Sequence, residues 1–397
     1  MADKPILAAG LDAGGTFTRV VICELEGDRI RLRGYGERPS QGWSRSRLAD
    51  HNAVSDSMRG ALQDAERMGG VSIESVVLGI GGATVSGHNR RGVYEFGYQR
   101  EITPADLKRA IERAARVVLP EDRMILHLLP QEFAVDGNAG HHNPAGMMGS
   151  KLEAFVHLVM VSIQELHELV GAANRAHVEV EETVFEPLAA AYASVVPRDR
   201  REGVTLLDIG AQSTELIVYY GDAVFHSASL PVCGDHFTWD VARGLRMSCE
   251  EAEAVKQQYG CALEDLTAPR SVVVLPGDPG RGPRERPRRD LNLILEARGK
   301  ELFDWVRREL TGISMEQNLM GVVLGGGAAR LAGLCELAER MLGCHARNAL
   351  PIGIKDWPKE LNTPAWTTAA GLAMYAARRK FRGAERGGNG FFRGLWG

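Results

Sequence analysis

Two short segments carry the residue types needed to hold a metal-bound phosphate, and they carry them in the same order. Near the start, Gly10 and Leu11 lead to Asp12, then Ala13, Gly14, Gly15, Thr16, Phe17 and Thr18. Past the middle, Leu206 and Leu207 lead to Asp208, then Ile209, Gly210, Ala211, Gln212, Ser213 and Thr214. Each places one carboxylate at the end of an apolar strand, then a turn of small residues and hydroxyls, then a second apolar strand, 20–25 and 216–220. Such a turn can offer backbone N–H groups to phosphate oxygens while the carboxylate holds a hydrated divalent cation in front of them. A lone glycine turn often does no more than reverse the chain, but repetition at this distance suggests two related halves. Facing each other, the hairpins would grip a nucleotide's phosphate tail from both sides.

A third element extends the site. The apolar run 322–324 leads into Gly325, Gly326, Gly327, Ala328 and Ala329, then into Leu331, Leu334, Leu337 and Ala338 at helical spacing. A strand, a glycine turn and a helix start would leave bare backbone for an adenosine ring. Glu253 and Lys256 stand three apart on a helix opened by a capping box of Ser248 and Glu251. They are either a surface ion pair or contacts to a nucleotide ribose. His141 and His142 have no carboxylate or third histidine nearby in sequence and read as part of a solvated loop rather than a metal site.

The elements that must position these groups follow from length and pattern. At 397 residues the chain exceeds what one core usually supports, so two domains are expected. Its 44% hydrophobic and 25% charged residues are those of an ordinary globular protein, and a net charge of −4 argues against general nucleic-acid binding. The six cysteines form no C-x-x-C pair and no zinc spacing, and read as free thiols in a reducing cytosol. Residues 1–5 lack the regions of a signal peptide, and no apolar run approaches the roughly 20 residues of a membrane span.

Strands at 6–25, 30–36 and 76–80 around an amphipathic helix over 48–68 predict an α/β domain. Between 85 and 161 the texture changes. A helix opened by Thr103 and Pro104, strands at 124–130 and 151–161, and a loop over 137–149 read as a small inserted subdomain. Beyond it, helices are predicted at 164–176, 186–195 and 235–245 and strands at 178–184 and 224–231. The Arg-, Pro- and Gly-rich stretch 276–290 reads as a mobile loop, followed by a long helix over 291–310 with Leu295, Leu302, Val306 and Leu310 on one face. A helix of small residues over 366–379 and a polar linker over 380–390 lead to the end.

The closing residues include Phe391, Phe392, Arg393, Leu395 and Trp396. On a helix the four large apolar side chains share one face, with Arg393 opposite, which suits a lipid interface better than a globular core. Arg378, Arg379, Lys380, Arg382 and Arg386 upstream add positive charge favourable beside anionic lipid.

The order of first turn, connecting helix (185–191), second turn, adenosine turn and closing helix (365–371) resembles the superfamily of actin, hexokinase and heat-shock chaperone ATPases. Within it, segments 129–136, 143–149 and 234–240 and the amphipathic terminus are similar to the FtsA family of bacterial cell-division proteins. The resemblance implies an actin-like, two-lobed α/β ATPase fold with duplicated ribonuclease H-like domains and an FtsA-type inserted subdomain. On it, 1–84 and 162–199 would form the first core subdomain, 85–161 the insertion, and 200–245 with 318–382 the second core subdomain. Residues 246–317 would form a small subdomain with nucleotide and FtsZ-peptide contacts, and 383–397 a linker and membrane-targeting segment.

By the same resemblance, Asp12, Gly14, Gly15 and Thr16 match the first phosphate loop and Asp208, Gly210, Ser213 and Thr214 the second. Gly325, Gly326, Gly327 and Ala328 match the adenosine loop, and Gly234, Asp235, Glu253 and Lys256 the nucleotide contacts of the second lobe. Glu186 matches the position that orients an attacking water, with Asp12 and Asp208 as the carboxylates that hold Mg2+ through water. Arg288, Arg289, Asn292 and Arg298 lie where the family receives the acidic C-terminal peptide of FtsZ. The implied protein binds ATP, polymerises as an actin-like filament, and tethers the FtsZ ring to the cytoplasmic face of the inner membrane at the division site. It would recruit later division proteins through the insertion.

The second turn departs from the family pattern, with Ala211 and Gln212 where glycines are common. Alanine does not readily take the positive φ open to glycine, and Gln212 adds bulk near the terminal phosphate. Since hydrolysis needs tight in-line geometry, slow turnover at most is expected. Two alternatives share the superfamily. A sugar kinase would need a general base beside the acceptor hydroxyl, and no second sugar-site Asp is evident; a pilus adaptor of the PilM type lacks such a terminal tail.

Overall fold

The computed structural model describes residues 6–386 apart from 28, 45, 276–281 and 316–318. Both hairpins form. Ile6–Ala13 runs antiparallel to Phe17–Glu26 in the register that sets Asp12 opposite Arg19. Val204–Ile209 runs antiparallel to Thr214–Tyr220 and sets Asp208 opposite Glu215. These strands are buried nearly throughout, as expected of central strands covered on both faces.

Each hairpin sits in its own sheet, and the two sheets repeat one plan. The first has the order Glu179–Phe185, Ser75–Ile80, Ile6–Ala13, Phe17–Glu26, Arg29–Pro39 and Ile354–Lys355. The second begins His345–Asn348, Gly321–Gly325, Val204–Ile209, Thr214–Tyr220 and Ala223–Leu230. In both, a parallel strand flanks the hairpin's first strand: Ser75–Ile80 in one, Gly321–Gly325 in the other. Strand ends, turns and glycines therefore gather at the same edge of each lobe.

The inserted subdomain joins the second sheet through a single pairing, Ala228 with Ser86. It comprises Ser86–Glu101, Met148–Ser162, Arg123–Val135 and Asn138–His141, with the helix Pro104–Ala114 laid across them. Leu152, Val156, Leu158 and Phe133 anchor its apolar cluster, distinct from the clusters of the two lobes.

Two helices cross beneath the space between the lobes, Glu186–Ser194 and Thr367–Arg386. Their approach is backbone to backbone. A Cβ at Gly371 would stand 1.8 Å from the Ala189 carbonyl oxygen, and the flanking Ala369, Ala370 and Ala373 are fully buried. Small residues permit this crossing, and it brings Glu186 and Thr368 under the hairpin turns.

The structure departs from the sequence reading in several places, the strand Asn138–His141 inside the expected 137–149 loop among them. Ser86–Glu101 is a strand of 16 residues, not anticipated because His88, Asn89, Arg90 and Arg91 give it a polar, half-exposed character. Arg284–Pro287 pairs with Val272–Leu275 instead of belonging to a loop, and the long helix opens earlier, as Arg288–Gly312. The final helix runs to Arg386, so 380–386 is not linker. Finally, the first helix is His51–Gly69, capped by the Asp50 carboxylate, which accepts from the Asn52 and Ala53 amides.

Candidate functional site

The two hairpin turns, the third glycine turn and the helices Gly234–Leu245 and Cys249–Tyr259 enclose a cleft of about 690 Å³. That size suits a small-molecule ligand. Asp12, Gly14, Gly15, Thr16, Glu186, Asp208, Gly210, Ser213, Gly234, Asp235, Glu253, Lys256, Gly326, Gly327 and Ala328 all line it. Thr214 and Gly325 do not. Thr214 is fully buried at the start of its strand, and Gly325 is buried as the last residue of the strand beneath its turn.

Four carboxylates gather on the cleft wall: Asp12, Glu186, Asp208 and Glu215. A Cβ at Gly81 would stand 2.2 Å from one Glu186 carboxylate oxygen and 3.3 Å from one of Glu215, so this glycine lies between the two acids. Glu215 accepts from the Gly82 amide at 2.5 Å, and Asp208 accepts from Thr368 Oγ1 at 2.7 Å. Burial pushes the Asp12 carboxyl up to about 7, against Arg19 and with Asp208. Burial and then Asp208 do the same to Glu215, also to about 7. Burial and the three neighbouring acids push Glu186 well above the carboxylate range, and burial raises Asp208 against Thr368 and Arg19.

Clustered buried acids resist ionising together. A divalent cation in the cleft would supply the charge they lack, and this donor set therefore fits Mg2+. Among the described residues no group of three His, Cys, Asp or Glu is arranged to hold an ion directly. The fit is to a hydrated ion, the state Mg2+ commonly keeps.

Arg19 is the counter-charge the chain itself provides. It is buried, bonds Glu37 at 2.7 Å and stacks 5.4 Å from the Trp366 ring. On the other side of the cleft, Lys256 Nζ lies 2.6 Å from Glu253 and donates to Thr238 Oγ1 at 2.7 Å. With the Lys256 side chain only 12% exposed, this is not a surface pair. The Gly234 and Asp235 amides donate to the Gly210 and Ala211 carbonyls at 2.8 and 2.7 Å, tying their helix to the second turn.

The residues expected at a peptide surface are differently disposed. Arg289 pairs with Glu264 at 2.6 Å, and Arg298 pairs with Asp240 at 2.6 Å and with Glu301. Arg288 lines the cleft and donates to the Tyr259 carbonyl at 2.7 Å. Asn292 is fully buried, accepting from the Cys261 amide at 2.8 Å and donating to Thr267 Oγ1, so it cannot face a peptide. Phe391, Phe392, Arg393, Leu395 and Trp396 lie outside the described residues. Among those described, no helix is long and apolar enough to cross a membrane.

Sequence reasoning passed over Glu215, Arg19, Thr238 and Thr368. Aligning the hairpins one strand further would have found the first two, because they occupy equivalent positions with opposite charge.

Residues 205–371 match the family model described as Cell division protein FtsA, and residues 82–160 match the SHS2 domain inserted in FTSA. The protein named Cell division protein FtsA in Pseudomonas aeruginosa is 31% identical over 379 residues, covering 95% of this chain and 91% of that one. Its namesake in Borreliella burgdorferi is 33% identical over 373 residues, covering 93% and 90%. Among solved structures, the PilM-PilN type IV pilus biogenesis complex matches with a TM-score of 0.67 at 19% identity, covering 93% of this chain and 98% of that one. MreB5 of Spiroplasma citri bound to ADP matches with a TM-score of 0.55 at 13% identity, covering 96% and 99%. These structural likenesses establish a shared actin-like fold.

Proposed function

The chain belongs to the FtsA family of cell-division proteins, and on that premise we propose that it is an ATP-binding, actin-like adaptor that links FtsZ to the cytoplasmic face of the membrane. The observation that carries this reading is the facing of two Asp-bearing turns and a third glycine turn across one cleft. Asp12 and Asp208 would hold a hydrated Mg2+, and the amides around Gly14, Gly15, Thr16, Gly210 and Ser213 would bond phosphate oxygens. Mg2+ and ATP, when bound, supply the positive charge and the phosphate chain around which these groups are arranged. The backbone at Gly326, Gly327 and Ala328 would lie against adenosine, with Gly234, Asp235, Glu253 and Lys256 on the ribose side. Glu186 would orient water, with slow hydrolysis at most because Gln212 crowds the second turn.

Arg289 and Arg298 would bind the acidic FtsZ peptide by exchanging Glu264, Asp240 and Glu301 for its carboxylates. The residues 391–396 would attach the protein to anionic lipid as a peripheral protein. One such tail binds weakly, so filament formation through many copies would make attachment firm. The inserted subdomain would recruit later division proteins. Membership of the FtsA family favours this role over the sugar kinase and the PilM-type adaptor. Co-sedimentation with anionic vesicles and FtsZ tests it: the full chain should carry FtsZ to the vesicles, and deletion of residues 391–397 should release both while leaving nucleotide binding intact. Retention of the truncated chain on vesicles would refute the tail's role.

A further inference from the structure

The residue that breaks the glycine pattern of the second turn does more than fill space. The position of a Cβ on Gly15 lies 2.9 Å from Gln212 Cγ, so the two hairpin tips touch through this side chain. Gln212 Oε1 accepts from the Ser46 amide at 2.8 Å, and the Gln212 carbonyl accepts from Ser46 Oγ. Ser46 is on the other lobe, 166 residues away in sequence. Its φ of 63° is uncommon for a residue other than glycine. Gln212, Ser46 and Gly15 all line the cleft.

A phosphate group bonded to amides of both turns needs its oxygens about 2.9 Å from nitrogens on each side. The Gln212 side chain, packed against Gly15, occupies space between the tips that such a phosphate would enter. A phosphate held by one turn alone leaves Gln212 in place; one that must reach both turns displaces it and breaks its bonds to Ser46. We propose that the Gln212–Ser46 contact is a latch that discriminates nucleoside diphosphate from triphosphate. The diphosphate enters with the latch closed, and the triphosphate enters only as the latch opens and the hairpin tips part. This inference rests on the nucleotide-binding reading above and adds the residues that set its preference.

Isothermal titration of ADP and of the non-hydrolysable analogue AMPPNP, each with Mg2+, into the full chain tests it. Gln212→Gly removes the side-chain acceptor of the Ser46 amide and keeps the backbone carbonyl, so it should raise the affinity for AMPPNP relative to ADP by about fivefold, as expected for removing one neutral hydrogen bond. Ser46→Ala acts from the opposite lobe and removes only the hydroxyl, so it should move the ratio the same way by about threefold. A ratio unchanged in both variants, or shifted towards ADP, would overturn the latch; the second result would mean that the Gln212 amide serves the triphosphate. If neither nucleotide binds the parent chain or either variant, the nucleotide reading itself fails, and the latch with it.

Discussion

Asp208 and Glu215 stand directly opposite each other across the second hairpin, at the position where the first hairpin pairs Asp12 with Arg19. One backbone plan thus carries opposite charges in the two lobes. The first lobe brings its own cation to the cleft, and the second brings another acid. The acids left short of counter-charge would favour a cation in the cleft, and they would make its occupancy measurable through stability.

Without ligand, Asp12 and Glu215 hold their protons up to about pH 7 in the folded chain, against about 4 for exposed carboxylates. Between those values the folded state binds more protons than the unfolded one, so stability falls as pH rises through that window. The thermal midpoint in EDTA should therefore drop between about pH 5 and about pH 7.5. Mg2+ with nucleotide favours the ionised acids and should flatten or reverse the slope. Identical slopes with and without the ligands would contradict the assignment of these acids to the cation's surroundings.

The helix crossing predicts a contrast between two glycines. Gly371→Ala places a methyl against the Ala189 carbonyl and forces the helices apart, a cost of about 3 kcal/mol. Gly171 lies within the helix Ile163–Arg175 with nothing near its missing Cβ, so Gly171→Ala should be neutral or stabilise by roughly 0.5–1 kcal/mol. Urea denaturation of both variants reads the difference directly.

Asn292 and Arg289 should separate stability from binding. Asn292→Ala orphans the buried Cys261 amide and should cost about 2 kcal/mol on unfolding. Arg289 holds a largely exposed pair, so Arg289→Ala should change stability by under about 1 kcal/mol. It should instead weaken binding of an FtsZ C-terminal peptide, measurable by fluorescence anisotropy.

The hairpins were legible because a carboxylate, small-residue turns and flanking apolar strands are local signals that survive without tertiary context. The parallel strands around them and the long helix with Leu295, Leu302 and Val306 were legible for the same reason. Ser86–Glu101 was not, since its strand character comes from pairing with Met148–Ser162 and not from its own apolar pattern. Arg284–Pro287 likewise takes its form from Val272–Leu275. Glu215 and Thr368 reach the cleft through register and a helix crossing, and Asn292 is buried by a loop whose path the helix pattern does not contain. Charge and hydrogen-bonding capacity can be read along the chain, but their direction is set by neighbours far from them in sequence.

The central claim, a nucleotide held through a hydrated cation between the two hairpins, is tested most directly by titrating ATP into the parent chain and Asp208→Asn, each in Mg2+ and in EDTA. The parent chain should bind ATP more tightly in Mg2+ by roughly tenfold or more, about 1.4 kcal/mol, and Asp208→Asn should lose most of that increment while remaining folded. Equal dependence on Mg2+ in the two proteins, or no binding of ATP by the parent chain, would contradict the account.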